Sequence, residues 1–301
     1  MRKLIAAVLL TLAAFPAPSF AWSGAGHRMM GELAARNFPK DIPAFLKAAA
    51  WQIGELAQEP DISRDAGQPH DADSDPGHFV DISDDGSILG GPKLSALPAT
   101  RRDYDTALRA VKSDEYKAGF LPYSIMDGWQ QLVKDFARLR RDMAAQKYAR
   151  KFAMTPAETK NYAQGLALRQ MLTLRDLGVW AHYVGDGSQP LHASVHYNGW
   201  GEGPNPQSFV VTPGLHAKFE SDFVDANITE QDVAVALRPY RACGCAIQQQ
   251  TQNYLLATAA QLVPTYELEK AGAFDTATPA AKAFAAQRIA EGAAMLRDMV
   301  T

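Results

Sequence analysis

The chain has 301 residues, 47 % of them hydrophobic and 21 % charged, with a formal net charge of −3. That length supports one large core or two small ones, and without a Lys- or Arg-rich block it excludes nucleic-acid binding through a broad electrostatic footprint. Two cysteines, Cys243 and Cys245, allow at most one bridge and exclude a cysteine-rich zinc site; pairing and a free thiol pair both remain open.

Residues 1–21 read as a secretory signal. Arg2 and Lys3 open it, Leu4 to Phe15 is almost wholly apolar, and Ser19-Phe20-Ala21 is a small-x-small cleavage site. The apolar run is short for a bilayer span, so an uncleaved anchor is the weaker alternative. Cleavage would leave Trp22 as the first residue of a secreted or periplasmic chain with no transmembrane segment, and would bring the net charge to −5.

Helical periodicity follows in "GELAARNF" and "IPAFLKAAAWQIGELA", with Asp41-Ile42-Pro43 as a helix start. It returns in "WQQLVKDFARLRRDMAAQKYARKF", in "TKNYAQGLALRQMLTLRDLGVWAHYVGD" after the start signal Thr155-Pro156, and in "AAKAFAAQRIAEGAAMLRDM". Only "HFVDIS" and "SFVVT" alternate like strands, which predicts little sheet. Residues 60–100 and 197–214 are rich in Asp, Gly, Pro, Ser and Asn, and loops of that length in a compact domain are usually functional or disordered. No linker divides residues 22–301, so a single all-α domain with long functional loops is expected.

The chemistry concentrates in "HYVGDGSQPLH". His182 and Asp186 lie four apart at the end of a helical run, which places them on one face, and His192 follows the break. "PGLHAKFESDFV" holds a second such pair, His216 and Glu220, and two helices each presenting His plus carboxylate can bind a borderline metal. His27, His78 at the head of "HFVD" and Asp61 in "EPDISR" join them, and the amine and carbonyl of Trp22 would chelate if the signal is removed. An i,i+4 His–acid pair is ordinarily a solvated helix pair; the argument for metal is that five of seven histidines share such contexts. His70 and His196 are read as loop residues.

The spacing His182-x3-Asp186-x5-His192 ending in "QPLH", together with "WSGAGH", "DISR" and "HFVD", resembles the superfamily of zinc-dependent phospholipases C and single-strand-preferring type I nucleases, the nuclease P-one type. The resemblance runs from Trp22 to Glu220 and implies an all-α fold around three zinc ions. It puts Asp61, His78, His182 and Asp186 on one ion and His192, His216 and Glu220 on a second. The third would be held by Trp22, His27 and the bridging Asp186. Such a centre would be positive in an otherwise acidic chain. Asp61 would orient or deprotonate the attacking water and Arg64 would assist the charged transition state, unless Arg64 is only a salt bridge to Asp61 or Asp65.

On substrate the resemblance divides. The five-residue step from Trp22 to His27 and the long insert between His192 and His216 are similar to the nucleases, whereas Glu220 in "HAKFE" is similar to the phospholipases C. Phe79 resembles the aromatic that stacks a base, and Asp81 the carboxylate that meets the base edge; core packing is the alternative for Phe79. Trp200 in "NGWGEG" could line a base pocket or a lipid-facing rim. The expectation is a hydrolase of single-stranded nucleic acid, with phospholipid as the alternative substrate, no protein partner implied, and a metal-stabilised protein without turnover as a third reading.

Overall fold

Apolar side chains at three- and four-residue spacing bury a stripe only when helices pack on helices, and that is the architecture in the computed structural model, which describes residues 22–152, 154–201 and 203–300. The proposed signal lies outside the described residues. Helices of seven residues or more are α1 (Gly24–Arg36), α2 (Ala50–Leu56), α3 (Arg101–Ala110), α4 (Leu121–Lys151), α5 (Pro156–Asp186), α6 (Glu230–Ala236), α7 (Ile247–Ala259), α8 (Leu262–Lys270) and α9 (Pro279–Met299). Extended structure among the described residues is limited to isolated bridges such as Ile82 with Ile88. None of the described helices is long and apolar enough to cross a membrane.

α4 and α5 are the longest pair, joined by a short turn and packed along each other. Thr155 caps α5 through a reciprocal bond with Glu158, and Pro156 occupies its first turn, as the start signal requires. The C-terminal third of α5 is the centre of the molecule: α1, α2 and α9 all pack against it, and Leu177, Trp180, Ala181 and Val184 are fully buried there or nearly so. Gly128 of α4 lets the helices approach, since a Cβ there would sit 2.2 Å from Trp180 Cδ1. Trp180 Nε1 then donates to the Ile125 carbonyl at 2.8 Å.

Three expectations change. The run from Ile42 to Ala57 is broken at Ala49, which leaves helical geometry (ψ 25°), into Ala44–Ala48 and α2. α4 starts at Leu121, ahead of Trp129, with Pro122 in its first turn. Residues 60–100 are less loop-like than their composition suggests, being built of short helical turns at Glu59–Ile62, Ser63–Ala66, His70–Ser74, Asp75–His78 and Leu94–Ala96. Cys243 and Cys245 are disulfide-bonded in an exposed loop.

Candidate metal centre

The last turn of α5 carries His182 and Asp186, both fully buried. His182 Nδ1 donates to the Ala57 carbonyl at 2.7 Å, which fixes the tautomer and turns Nε2 inward. There Nε2 lies 2.8 Å from His78 Nδ1, 3.2 Å from Asp186 Oδ2 and 3.7 Å from Asp61 Oδ1. Asp61 comes from the short helix Glu59–Ile62 and His78 from the end of the turn Asp75–His78. Donors bound to one zinc at its usual bond lengths sit about 3.3 Å apart in a tetrahedral site, and these spacings bracket that value.

His192 belongs to the helical turn Pro190–Ala193 after α5. Its Nδ1 donates to the His78 carbonyl at 2.7 Å and Val80 N donates to the His192 carbonyl at 2.8 Å, so the two segments lock each other. The free edge of its ring, Nε2, faces Glu220 Oε2 at 3.6 Å, and His216 Nε2 is 2.8 Å from that same oxygen. Glu220 lies in a π-helical turn, Lys218–Phe223. Buried Leu215, Phe219 and Phe223 repeat every four residues, as do His216, Glu220 and Val224. A four-residue repeat outruns an α-helix by about 40° each time, and the wider turn brings both rows back into line.

His27, in the first turn of α1, stacks on His182 with centroids 4.0 Å apart and lies 3.4 Å from Asp186 Oδ1 through Nε2. Trp22 fixes this end: its indole donates to Ser188 Oγ at 2.9 Å and the Gly185 carbonyl at 3.1 Å, and its ring meets Phe219 edge-on at 5.5 Å. Ligand-capable side chains thus form three buried groups, His27–His182–Asp186, Asp61–His78–His182 and His192–His216–Glu220. His182 is shared by two of them, a role the family resemblance gives to Asp186 alone.

Electrostatics show what the groups lack. Burial holds His27 down to about 4 and His78 to about 3, so both are neutral donors near pH 7, and it pushes Asp61 up to about 6. Burial opposes the charge on Asp186, but His182, with hydrogen bonds from His182, His27 and His78, outweighs it and holds the carboxylate well below the usual range. His192 is likewise opposed by burial yet lifted to about 9, chiefly by Glu220 and Asp186. Both nitrogens of His27, Nε2 of His78, His192 and His216, and one oxygen each of Asp61 and Asp186 are buried without a hydrogen-bond partner among the described residues. Orphaned donors and acceptors at that density are costly unless a cation engages them. Imidazole and carboxylate suit zinc, and manganese too. The residues fit a metal centre.

His78, His192 and His216 open on a cavity of about 240 Å³ that is also lined by Arg64, Phe79 and Asp81. Arg64 lies 3.8 Å from Asp61 Oδ1 and pairs with Asp75 rather than Asp65. Phe79 is half-buried, with one side on the cavity, and Gly119 leaves it room, since a Cβ there would meet its carbonyl at 2.2 Å. Burial lifts the Asp81 carboxyl to about 7. Lys117 and Tyr197 also line the cavity; Tyr197 adjoins the histidine-rich stretch, whereas nothing in the sequence around Lys117 marks it.

Two loop residues have structural roles. His196 is buried and accepts from Gly201 N at 2.9 Å while its Nε2 faces Asp84 Oδ1 at 3.0 Å, so neither nitrogen is spare. Trp200 is no rim residue: it is buried between His196, Phe209 and Tyr266, and pins the loop by donating to the Pro204 carbonyl. Comparison of the chain with protein-family models, with curated proteins and with solved structures finds no match.

Proposed function

We propose that the protein is a secreted zinc-dependent phosphodiester hydrolase holding three zinc ions and acting on single-stranded nucleic acid. The observation that carries the reading is the clustering of three buried His–carboxylate groups, two of which reach, through His78, His192 and His216, a cavity that also presents Arg64, Phe79 and Asp81. Bound zinc supplies positive charge and makes water acidic enough to attack phosphorus near neutral pH. The chain's own groups do the rest. Asp61, whose Oδ1 lies 3.7 Å from His78 Nδ1 without a hydrogen-bond partner among the described residues, orients the attacking water and takes its proton. Arg64 holds fixed positive charge beside it for the phosphoryl oxygens. Phe79 offers a face for a base, and Asp81, kept protonated in part by burial, can donate to or accept from a base edge. In this reading the Trp22 amine and carbonyl complete the His27 group once the signal is removed.

Glu220 favours a second reading, a phospholipase C, because the resemblance to that branch rests on this residue. Zinc-loaded protein beginning at Trp22 should release nucleotides from single-stranded DNA or RNA and leave phosphatidylcholine intact. Asp61→Asn should lower that rate by about 10²-fold or more, with zinc content measured alongside. Diacylglycerol release without nucleotide release would establish the phospholipase reading instead. Zinc binding with neither activity would leave a metal-stabilised binding protein.

A further inference from the structure

Beyond the body of the molecule, α4 and α5 continue as a two-helix arm. Between Arg140 and Leu172, Ala149 is the only buried residue among those described. The turn at the arm's tip lies about 45 Å along α5 from Asp186, from the rise of an α-helix over 31 residues. An arm that contributes so little to the core needs another reason to carry apolar side chains. Yet Met143 and Tyr148 on α4, Phe152 just past its end, and Leu168 and Met171 on α5 are each between 50 and 61 % exposed.

Its charge is equally distinctive. Residues 136–162 hold seven cations and two anions, so the chain does carry a basic stretch, one that its negative overall charge conceals. Of the cations, Arg141 is paired with Asp142. Arg138, Arg140, Lys147, Arg150, Lys151 and Lys160 form no ion pair among the described residues. Arg141, Tyr148 and Phe152 fall at i, i+7 and i+11, and Arg140, Lys147 and Lys151 repeat that spacing one residue earlier, so cations and aromatics share the outward face of α4. The Tyr148 and Phe152 rings lie 4.3 Å apart, tilted by 34°, and Lys151 Nζ lies 5.3 Å from the Phe152 ring centre.

We propose that this arm docks on an anionic lipid surface, with Tyr148 and Phe152 entering the interface and the unpaired cations meeting acidic headgroups. A second copy of the chain is disfavoured because apposed arms would bring like charges together. A nucleic acid would match the cations and aromatics, but exposed Leu168 and Met171 have no use on a polyanion and a direct one in acyl chains. The surface is far from the metal centre, so the inference stands whatever that centre hydrolyses.

The test is co-sedimentation of the full protein with vesicles of phosphatidylcholine mixed with phosphatidylglycerol, against phosphatidylcholine alone. Binding should be at least about tenfold stronger to the anionic vesicles, and Lys147→Glu with Lys151→Glu should weaken it by at least about 25-fold, at roughly fivefold per cation lost before any repulsion by the new carboxylates. Tyr148→Ser with Phe152→Ser should leave binding at low salt but abolish what survives at physiological salt. Both double variants change exposed residues and should hydrolyse a soluble phosphodiester at the parent rate. Equal binding to both vesicles, no binding to either, or parent-like binding by the charge variant would overturn the proposal. So would a loss of affinity for single-stranded DNA in the charge variant with vesicle binding intact, which would make the arm a nucleic-acid surface.

Discussion

Asp186 stands 3.1 Å from His78, 3.2 Å from His182, 3.4 Å from His27 and 4.0 Å from His192, so one carboxylate balances four imidazoles. Asp186→Asn keeps the shape and removes the charge. The variant should retain at least one metal ion fewer per chain than the parent by mass spectrometry, and lose about 10²-fold or more in hydrolysis; parent-level metal content would remove Asp186 from the centre. His192 gives a second handle. Lifted to about 9 in the metal-free protein, it must shed its proton to become a donor, so zinc uptake at pH 7 should release about one proton from it. That contribution should fade as the pH climbs through about 9, measured by titration in weak buffer. These residues were legible in the sequence because the i,i+4 spacing of His182 with Asp186 and of His216 with Glu220 encodes a shared face directly. Trp200 was not: its burial depends on Phe209 and Tyr266, and only the fold brings Tyr266 near it.

At the scale of elements, periodicity carried the reading where a helix had one apolar face and a capped start, as at Thr155-Pro156. It failed in two ways. α6 is signalled by a capping box at Thr229 and Asp232 rather than by an apolar stripe, since Val233 is its one buried residue. The π-helical turn escapes any 3.6-residue template because its rows repeat every four residues. Packing between elements yields a paired prediction on the α4–α5 arm and its base. Gly128→Ala pushes a methyl into Trp180 and should cost about 1–3 kcal/mol, seen as a melting point several degrees lower. Gly165→Ala, also inside a long helix but with no atom within 4 Å of its added methyl, should stabilise by about 0.5–1 kcal/mol. Equal shifts for the two would mean that helix propensity, rather than close approach at Gly128, sets the response.

The whole molecule is organised so that the centre and the fold depend on each other. The candidate ligands come from α1, the helix Glu59–Ile62, the turn Asp75–His78, the end of α5, the turn Pro190–Ala193 and the segment Leu215–Phe223, which come together at the three groups. Cations held by the three groups would tie together segments from His27 to Glu220 and neutralise the buried carboxylates of Asp61, Asp186 and Glu220. Leaving a buried charge uncompensated costs about 3–5 kcal/mol, and in a chain of this size each kcal/mol moves the melting point by about 2–4 °C. Chelation should therefore lower the melting temperature by about 10 °C or more, and a shift within a degree or two would show that the fold closes without metal. The pH dependence has a definite sign. In the metal-free protein His192 rises from 6.5 to about 9 on folding, so its stabilisation is complete below pH 6.5 and is lost as the pH climbs through 9. Asp81, raised from 3.8 to about 7, loses its own contribution between those values, so its decline precedes that of His192 and is nearly complete by pH 7. His27 and His78 are lowered and act only on the acid side, where the unfolded chain takes up protons that the folded one refuses. Bound metal would keep His192 deprotonated and cancel that contribution. The gap between the melting temperatures of metal-loaded and metal-free protein should thus widen from pH 6.5 to 9, and a gap that narrows over that interval would place the protonated imidazole elsewhere.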